Sequence, residues 1–88
     1  MKIKYERSFY RDIEKIRDPK IKSKIVEIIV TIKNSTSITD ISNVIKLKGH
    51  YSAFRIKIRN YRIGFFLESD VVIFSRCLDR KDIYKYFP

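Results

Sequence analysis

Apolar and polar residues alternate at the start of the chain, in Ile3-Lys4-Tyr5, as they do in a strand with one buried face. The period then lengthens. Phe9, Ile13 and Ile16 fall on one helical face, and Ser8 just ahead of them offers a hydroxyl suited to a helix cap. Asp18-Pro19 supplies a capping carboxylate followed by a proline at the first helical position, where its missing N–H costs nothing. A second helix starts there. Its residues Ile21, Ile25, Ile28, Ile29 and Ile32 keep helical spacing, and although the β-branched run from Ile25 to Ile32 would also suit a strand, its length favours helix. Asn34 to Ser42 is rich in Ser, Thr, Asn and Asp, whose side chains compete for backbone hydrogen bonds, so the helix ends there in a connector.

From Val44 onward the period falls to two, in runs near 44–48, 53–59, 61–67 and 71–78 joined by short polar turns, which predicts an antiparallel meander. In Lys81 to Pro88, Ile83 and Phe87 return to helical spacing, enough for a short terminal helix docked on the sheet. The order of elements predicts an α+β domain. An N-terminal strand and two helices pack on one face of a mainly antiparallel, twisted sheet of about four to five strands, followed by that short C-terminal helix. At 88 residues the chain has room for one core, so residues 1–88 form a single domain and function must share it.

Charge changes the picture more than composition does. Twenty Lys and Arg stand against ten Asp and Glu, a formal net charge of +10, and so much self-repulsion in a small body is best tolerated beside a polyanion. Nucleic acid or an acidic protein is the expected partner. No stretch approaches the roughly 20 apolar residues of a membrane span and no signal sequence opens the chain, so the expected place of action is the cytoplasm, away from membranes. The one cysteine, Cys77, lies in an apolar run with no partner for a disulfide or a zinc site, and reads as a buried structural thiol.

The most informative stretch is Phe54-Arg55-Ile56-Lys57-Ile58-Arg59, three apolar residues alternating with three cations. In a strand the apolar set enters the core and the cations share the other face, about 6.6 Å apart. If Arg59-Asn60 form a two-residue turn, with Asn60 tolerating the left-handed backbone, Ile58 pairs with Tyr61, Lys57 with Arg62 and Arg55 with Gly64. Tyr61, Ile63, Phe65 and Leu67 then extend the core face, and Phe66 joins the cations. Like charges opposed across a sheet are unfavourable, so the cluster of Arg55, Lys57, Arg59 and Arg62 is not explained by folding. Phosphates of single-stranded RNA would explain it, with Phe66 or a tyrosine to stack a base. The plainer reading is a solvated sheet face that resists aggregation.

Three blocks carry a resemblance: Lys46-Leu47-Lys48-Gly49, then Phe54 to Ile63, then Arg80-Lys81-Asp82-Ile83-Tyr84. Together they resemble the RelE/ParE superfamily of toxins from type II toxin–antitoxin systems, whose order of an opening strand and two helices the chain also shares. The resemblance implies an endoribonuclease (mRNA interferase) that cuts messenger RNA, in many relatives at the ribosomal A site, by attack of a ribose 2′-hydroxyl on the neighbouring phosphate. That chemistry needs one group to take the 2′ proton, another to protonate the leaving oxygen, and cations to stabilise the transition state. It calls for no cofactor and no metal.

Carried over by position, the resemblance assigns Lys57 or Tyr84 to proton transfer, Arg62 and Arg80 to the scissile phosphate, and Arg55 to positioning RNA, with Arg59, Lys46, Lys48 and Phe66 as further RNA contacts. Leu78-Asp79 departs from the family pattern just before the late arginine, which leaves Arg76 as the alternative to Arg80. His50, the lone histidine, is either a plain loop residue or an acid–base group. Tyr84 either serves catalysis or packs the last turn. Implied partners are a cognate antitoxin, mRNA and the ribosome. The competing function on the same fold is a ParE-like, non-enzymatic inhibitor of DNA gyrase. The strand cations and terminal tyrosine favour RNA cleavage, and no RNP, KH or OB signature supports a simple RNA-binding module.

Overall fold

The computed structural model describes every residue from Met1 to Pro88. Its elements are β1 (Lys2–Tyr5), α1 (Arg7–Lys15), α2 (Pro19–Lys33), a 3₁₀ turn (Ile38–Asp40), β2 (Val44–Lys46), β3 (Ala53–Ile58), β4 (Tyr61–Glu68), β5 (Val71–Asp79) and α3 (Arg80–Tyr86). The five strands lie in the order β1-β5-β4-β3-β2; β1 runs parallel to β5 and every other pair is antiparallel. The expected α+β class therefore holds.

Local signals act much as physical chemistry dictates. Asp18 caps α2 by accepting from the Lys20 N–H at 2.9 Å, Pro19 opens it, and Asn34 ends it. Ile21, Ile25 and Ile32 are buried, while Ile28 and Ile29 are half-buried beside them. Ser8 does not cap α1. The N-cap is Glu6, which makes no side-chain bond, and the Ser8 hydroxyl instead donates to the Ser75 carbonyl of β5 at 2.7 Å. β1 stops opposite Phe74, so the outer edge of β5 beyond that point needs partners, and α1 supplies them through side chains.

The β3–β4 register is the one the alternation predicts: Ile58 opposite Tyr61, Lys57 opposite Arg62, Arg55 opposite Gly64. The turn differs in one respect. Arg59, not Asn60, takes the positive φ, at 53°. The β4–β5 turn, Ser69-Asp70, has both residues left-handed, as a right-twisted two-residue hairpin requires. Between Gly64 and Phe65 the β4–β5 ladder slips, so Ser75 has no register partner.

The helices do not share one face of the sheet. α1 and α2 cover the face bearing Phe54, Ile56, Ile58, Ile63, Phe65 and Phe74, in a core of 13 buried side chains. α3 lies on the opposite face, where Ile83 and Phe87 close a second cluster over Ala53, flanked by Leu47, Phe66 and Leu78. The reason is register: Ala53 alternates with Phe54, so a helix that packs on Ala53 must dock from the other side. This helix crosses the face that carries the basic strand residues.

Candidate functional site

Gly64 is the centre of that face. Its register partners are Arg55 on β3 and Arg76 on β5, and the Phe87 ring rests directly on it. A Cβ at position 64 would meet that ring at 2.5 Å, so only glycine allows Phe87 to seat. Seating Phe87 brings two tyrosines of α3 onto the two flanking arginines. The Arg55 guanidinium lies 4.6 Å from the Tyr84 ring centroid and the Arg76 guanidinium 5.6 Å from that of Tyr86.

The two arginines differ in everything else. Arg76 is bidentate with Asp12 of α1, through Nε at 2.8 Å and Nη2 at 3.1 Å, and the same carboxylate accepts the Cys77 N–H at 2.9 Å. Asp12 is buried, and its hydrogen bond and charge push Arg76 above its ordinary pKa, against the opposing effect of burial. Arg55 has no carboxylate partner, and its Nε is buried with no acceptor. Arg76, the alternative late arginine, thus holds α1 on β5.

The remaining cations extend from Arg55 toward the β3–β4 turn. Lys57 is exposed on the same face. Opposite it, half-buried Arg62 folds back, donating through Nη1 to the Arg59 and Tyr61 carbonyls at 2.8 Å each. Those carbonyls spread the guanidinium's charge and ease its confrontation with Lys57. The N–H of Arg80 donates to the Asn60 carbonyl at 2.9 Å, which ties the start of α3 to the same turn. Asp79 pairs with neither Arg80 nor Arg76. It caps α3, its carboxylate accepting from the Lys81 N–H at 2.9 Å, so the departure at Leu78-Asp79 has a structural reason: Leu78 joins the second core and Asp79 starts the helix. The salt bridges of the whole molecule are Lys24–Glu27 and Arg76–Asp12, so Arg55, Lys57, Arg59, Arg62 and Arg80 all lack one.

Two of the expected contacts, Lys46 and Lys48, stand elsewhere. Phe66 shares the face and is half-buried, its ring packed 5.1 Å from that of Phe87. Lys46 is opposite Phe54 and so belongs to the helix-covered face; the β2 residue beside Arg55 is Ile45. Lys48 and His50 are exposed in the β2–β3 loop, away from the Arg55 to Arg80 group. Tyr84, by contrast, is 67% exposed, and packing of the last turn falls to Ile83 and Phe87. Cys77 is buried, and burial first, then the Asp12 charge, pushes its thiol up to about 12, as befits a structural residue. No cluster of His, Cys, Asp and Glu could hold a metal ion, and no helix is long and apolar enough to cross a membrane.

No protein-family model matches the chain. It is, however, 38% identical over 89 residues to the protein named Toxin RelE3 of Methanocaldococcus jannaschii, covering all of both chains. The chain belongs to the RelE toxin family. Among solved structures, this RelE-family fold superposes with a TM-score of 0.83 on the RelB–RelE antitoxin–toxin complex of Methanococcus jannaschii, at 35% identity over 97% of this chain and 99% of that one. Its fold also matches the RelE–RelB complex of Pyrococcus horikoshii, with a TM-score of 0.72 at 14% identity over 90% and 93% of the chains. The E. coli RelBE complex gives 0.69 at 18% identity over 89% and 94%.

Proposed function

We propose that this toxin is an endoribonuclease that cleaves mRNA in the ribosomal A site, by attack of a ribose 2′-hydroxyl on the adjacent phosphate. The observation that carries the reading is the group Arg55, Lys57 and Arg62 on one face of the sheet, with Arg59 at its turn and Arg80 on the helix tied to that turn, none of them in a salt bridge. The mutual repulsion of such a group costs the free fold, whereas a phosphodiester passing through a pentacoordinate transition state gains from every cation already in place.

Within the site, Arg62 is preorganised by the two carbonyls it bonds, and Arg80 approaches from the helix tied to the same turn. They bind the scissile phosphate and offset its developing charge. Lys57, exposed opposite Arg62, and Tyr84, whose ring is steadied on Arg55, are the groups within the site that exchange protons with the 2′-hydroxyl and the leaving oxygen. The reaction needs no cofactor. The toxin acts in the cytoplasm, and a RelB-like antitoxin, the partner in the complexes of its relatives, neutralises it by covering the basic face or displacing α3.

Brief induction followed by primer extension on cellular mRNA, beside a gyrase supercoiling assay, tests the reading. Cuts within codons and uninhibited supercoiling are expected. Intact mRNA together with inhibited gyrase would replace the nuclease with the ParE-like alternative.

A further inference from the structure

The molecule has six tyrosines, and five are accounted for by neighbours. Tyr5 and Tyr10 pack on each other at 5.4 Å, Tyr61 lies against the main core, and Tyr84 and Tyr86 sit on guanidinium groups. Tyr51 has none of these partners and is 89% exposed, the most exposed of the large hydrophobic residues. It does not stand on a loose segment. The Leu47 N–H bonds the Ala53 carbonyl at 2.9 Å, the His50 N–H bonds the Leu47 carbonyl at 3.3 Å, and the Leu67 N–H of β4 bonds the Ser52 carbonyl at 2.8 Å. Leu47 is packed in the second core, and Gly49 makes the bend with a φ of 80°. The loop is therefore built, and it holds one aromatic ring out in water.

The surroundings of that ring are basic. Lys46, Leu47, Lys48, Gly49, His50 and Tyr51 line a shallow hollow of about 440 Å³ that contains no acidic residue, and neither lysine has a salt-bridge partner. A flat, unpartnered ring beside two free ammonium groups matches the two parts of a single-stranded nucleotide, a base to stack and phosphates to neutralise. β3 leads from the end of this loop at Ala53 to Arg55, about 6.6 Å further at the rise of a strand.

We propose that Tyr51 is a platform on which an unpaired RNA base stacks, with Lys46 and Lys48 taking the flanking phosphates, a second RNA-contact point remote from the Arg55–Tyr84 pair. The inference rests on the reading of RNA as this toxin's substrate. The two contributions separate experimentally because stacking is insensitive to salt, whereas phosphate contacts release counterions.

The test is titration of a fluorescent 2′-O-methyl single-stranded RNA, which lacks the attacking hydroxyl, over a range of salt concentrations, with mRNA cleavage measured in parallel. Tyr51→Ala should weaken binding by about 5- to 100-fold with an unchanged salt slope, and Tyr51→Phe should bind like the wild type. Lys48→Ala should reduce the slope by about 0.7. The proposal is overturned if folded Tyr51→Ala binds within about twofold of wild type, if its loss comes with a reduced slope, or if wild type itself does not bind. Cleavage by the wild type with Tyr51-independent binding would sink this inference and leave the nuclease reading standing. Tyr51-dependent binding without cleavage would do the reverse.

Discussion

Arg55 and Arg76 flank the same glycine, in neighbouring strands, and each lies under a tyrosine of α3, yet one is neutralised by a buried carboxylate and the other is not. The contrast extends to the two faces of the sheet. Beneath α1 and α2, 13 buried apolar residues and a bidentate ion pair hold the fold together. Beneath α3 a cluster of three buried residues secures a helix of seven, and of the cations around it only Arg76 has a carboxylate partner. Stability is concentrated on one face, while the other carries charge that no salt bridge neutralises except at Arg76.

Removing Asp12 would make the two arginines alike, and it carries the largest expected effect. Asp12→Ala leaves Arg76 without its carboxylate and the Cys77 N–H without its acceptor, a loss of about 3 kcal/mol, or ~15 °C in melting temperature for a domain of this size. Thermal unfolding measures this, and a change of only a degree or two would mean the pair contributes no more than a surface contact. Next comes Gly64→Ala, whose Cβ cannot coexist with the seated Phe87 ring. It should lift α3 and carry Tyr84 off Arg55, lowering cleavage about 100-fold while the main core survives, a split readable from activity beside circular dichroism. Wild-type cleavage by this variant would show that α3 need not be docked for the reaction.

The smallest of these effects concerns Cys77. Its thiol is raised in the folded state, so the neutral form is favoured there, and the unfolded chain loses its proton first as pH rises. Stability from this group is full below about pH 9 and declines toward pH 12, while labelling by a thiol reagent at pH 8 should wait on unfolding. Rapid labelling of the native protein would contradict the burial that sets the shift.

The faces were not equally legible in the sequence. Strict alternation from Phe54 to Arg59 specifies which residues enter the core, and with a two-residue turn it specifies the β3–β4 register in full, because a slip of one residue would bury the cations. Alternation cannot say what covers the other face. That is why the terminal helix could be assigned to no face, when Ala53 and Gly64 in fact make a seat for Ile83 and Phe87. Asp12 was missed although a signal was present: it lies on the helical face of Phe9 and Ile16, and a carboxylate on an apolar stripe asks for a partner. Its partner on β5 is distant in sequence, and only the folded chain brings them together. Ser8 misled for a related reason, since a hydroxyl near a helix start serves an exposed strand carbonyl as readily as a cap.

The central claim is that the unpaired cations serve the reaction and not the fold, and Lys57 tests it most directly. Lys57 is exposed, has no salt bridge, and opposes Arg62, while Ile56 and Ile58 beside it are buried in the main core. Thermal unfolding and ribosome-dependent mRNA cleavage of Lys57→Ala, measured on the same preparation, should show a melting temperature equal to or slightly above wild type, since a repulsion of a few tenths of a kcal/mol is relieved. Cleavage should fall by about 100-fold or more. A variant that melts several degrees lower, or that is fully stable and still cleaves at the wild-type rate, would contradict the account.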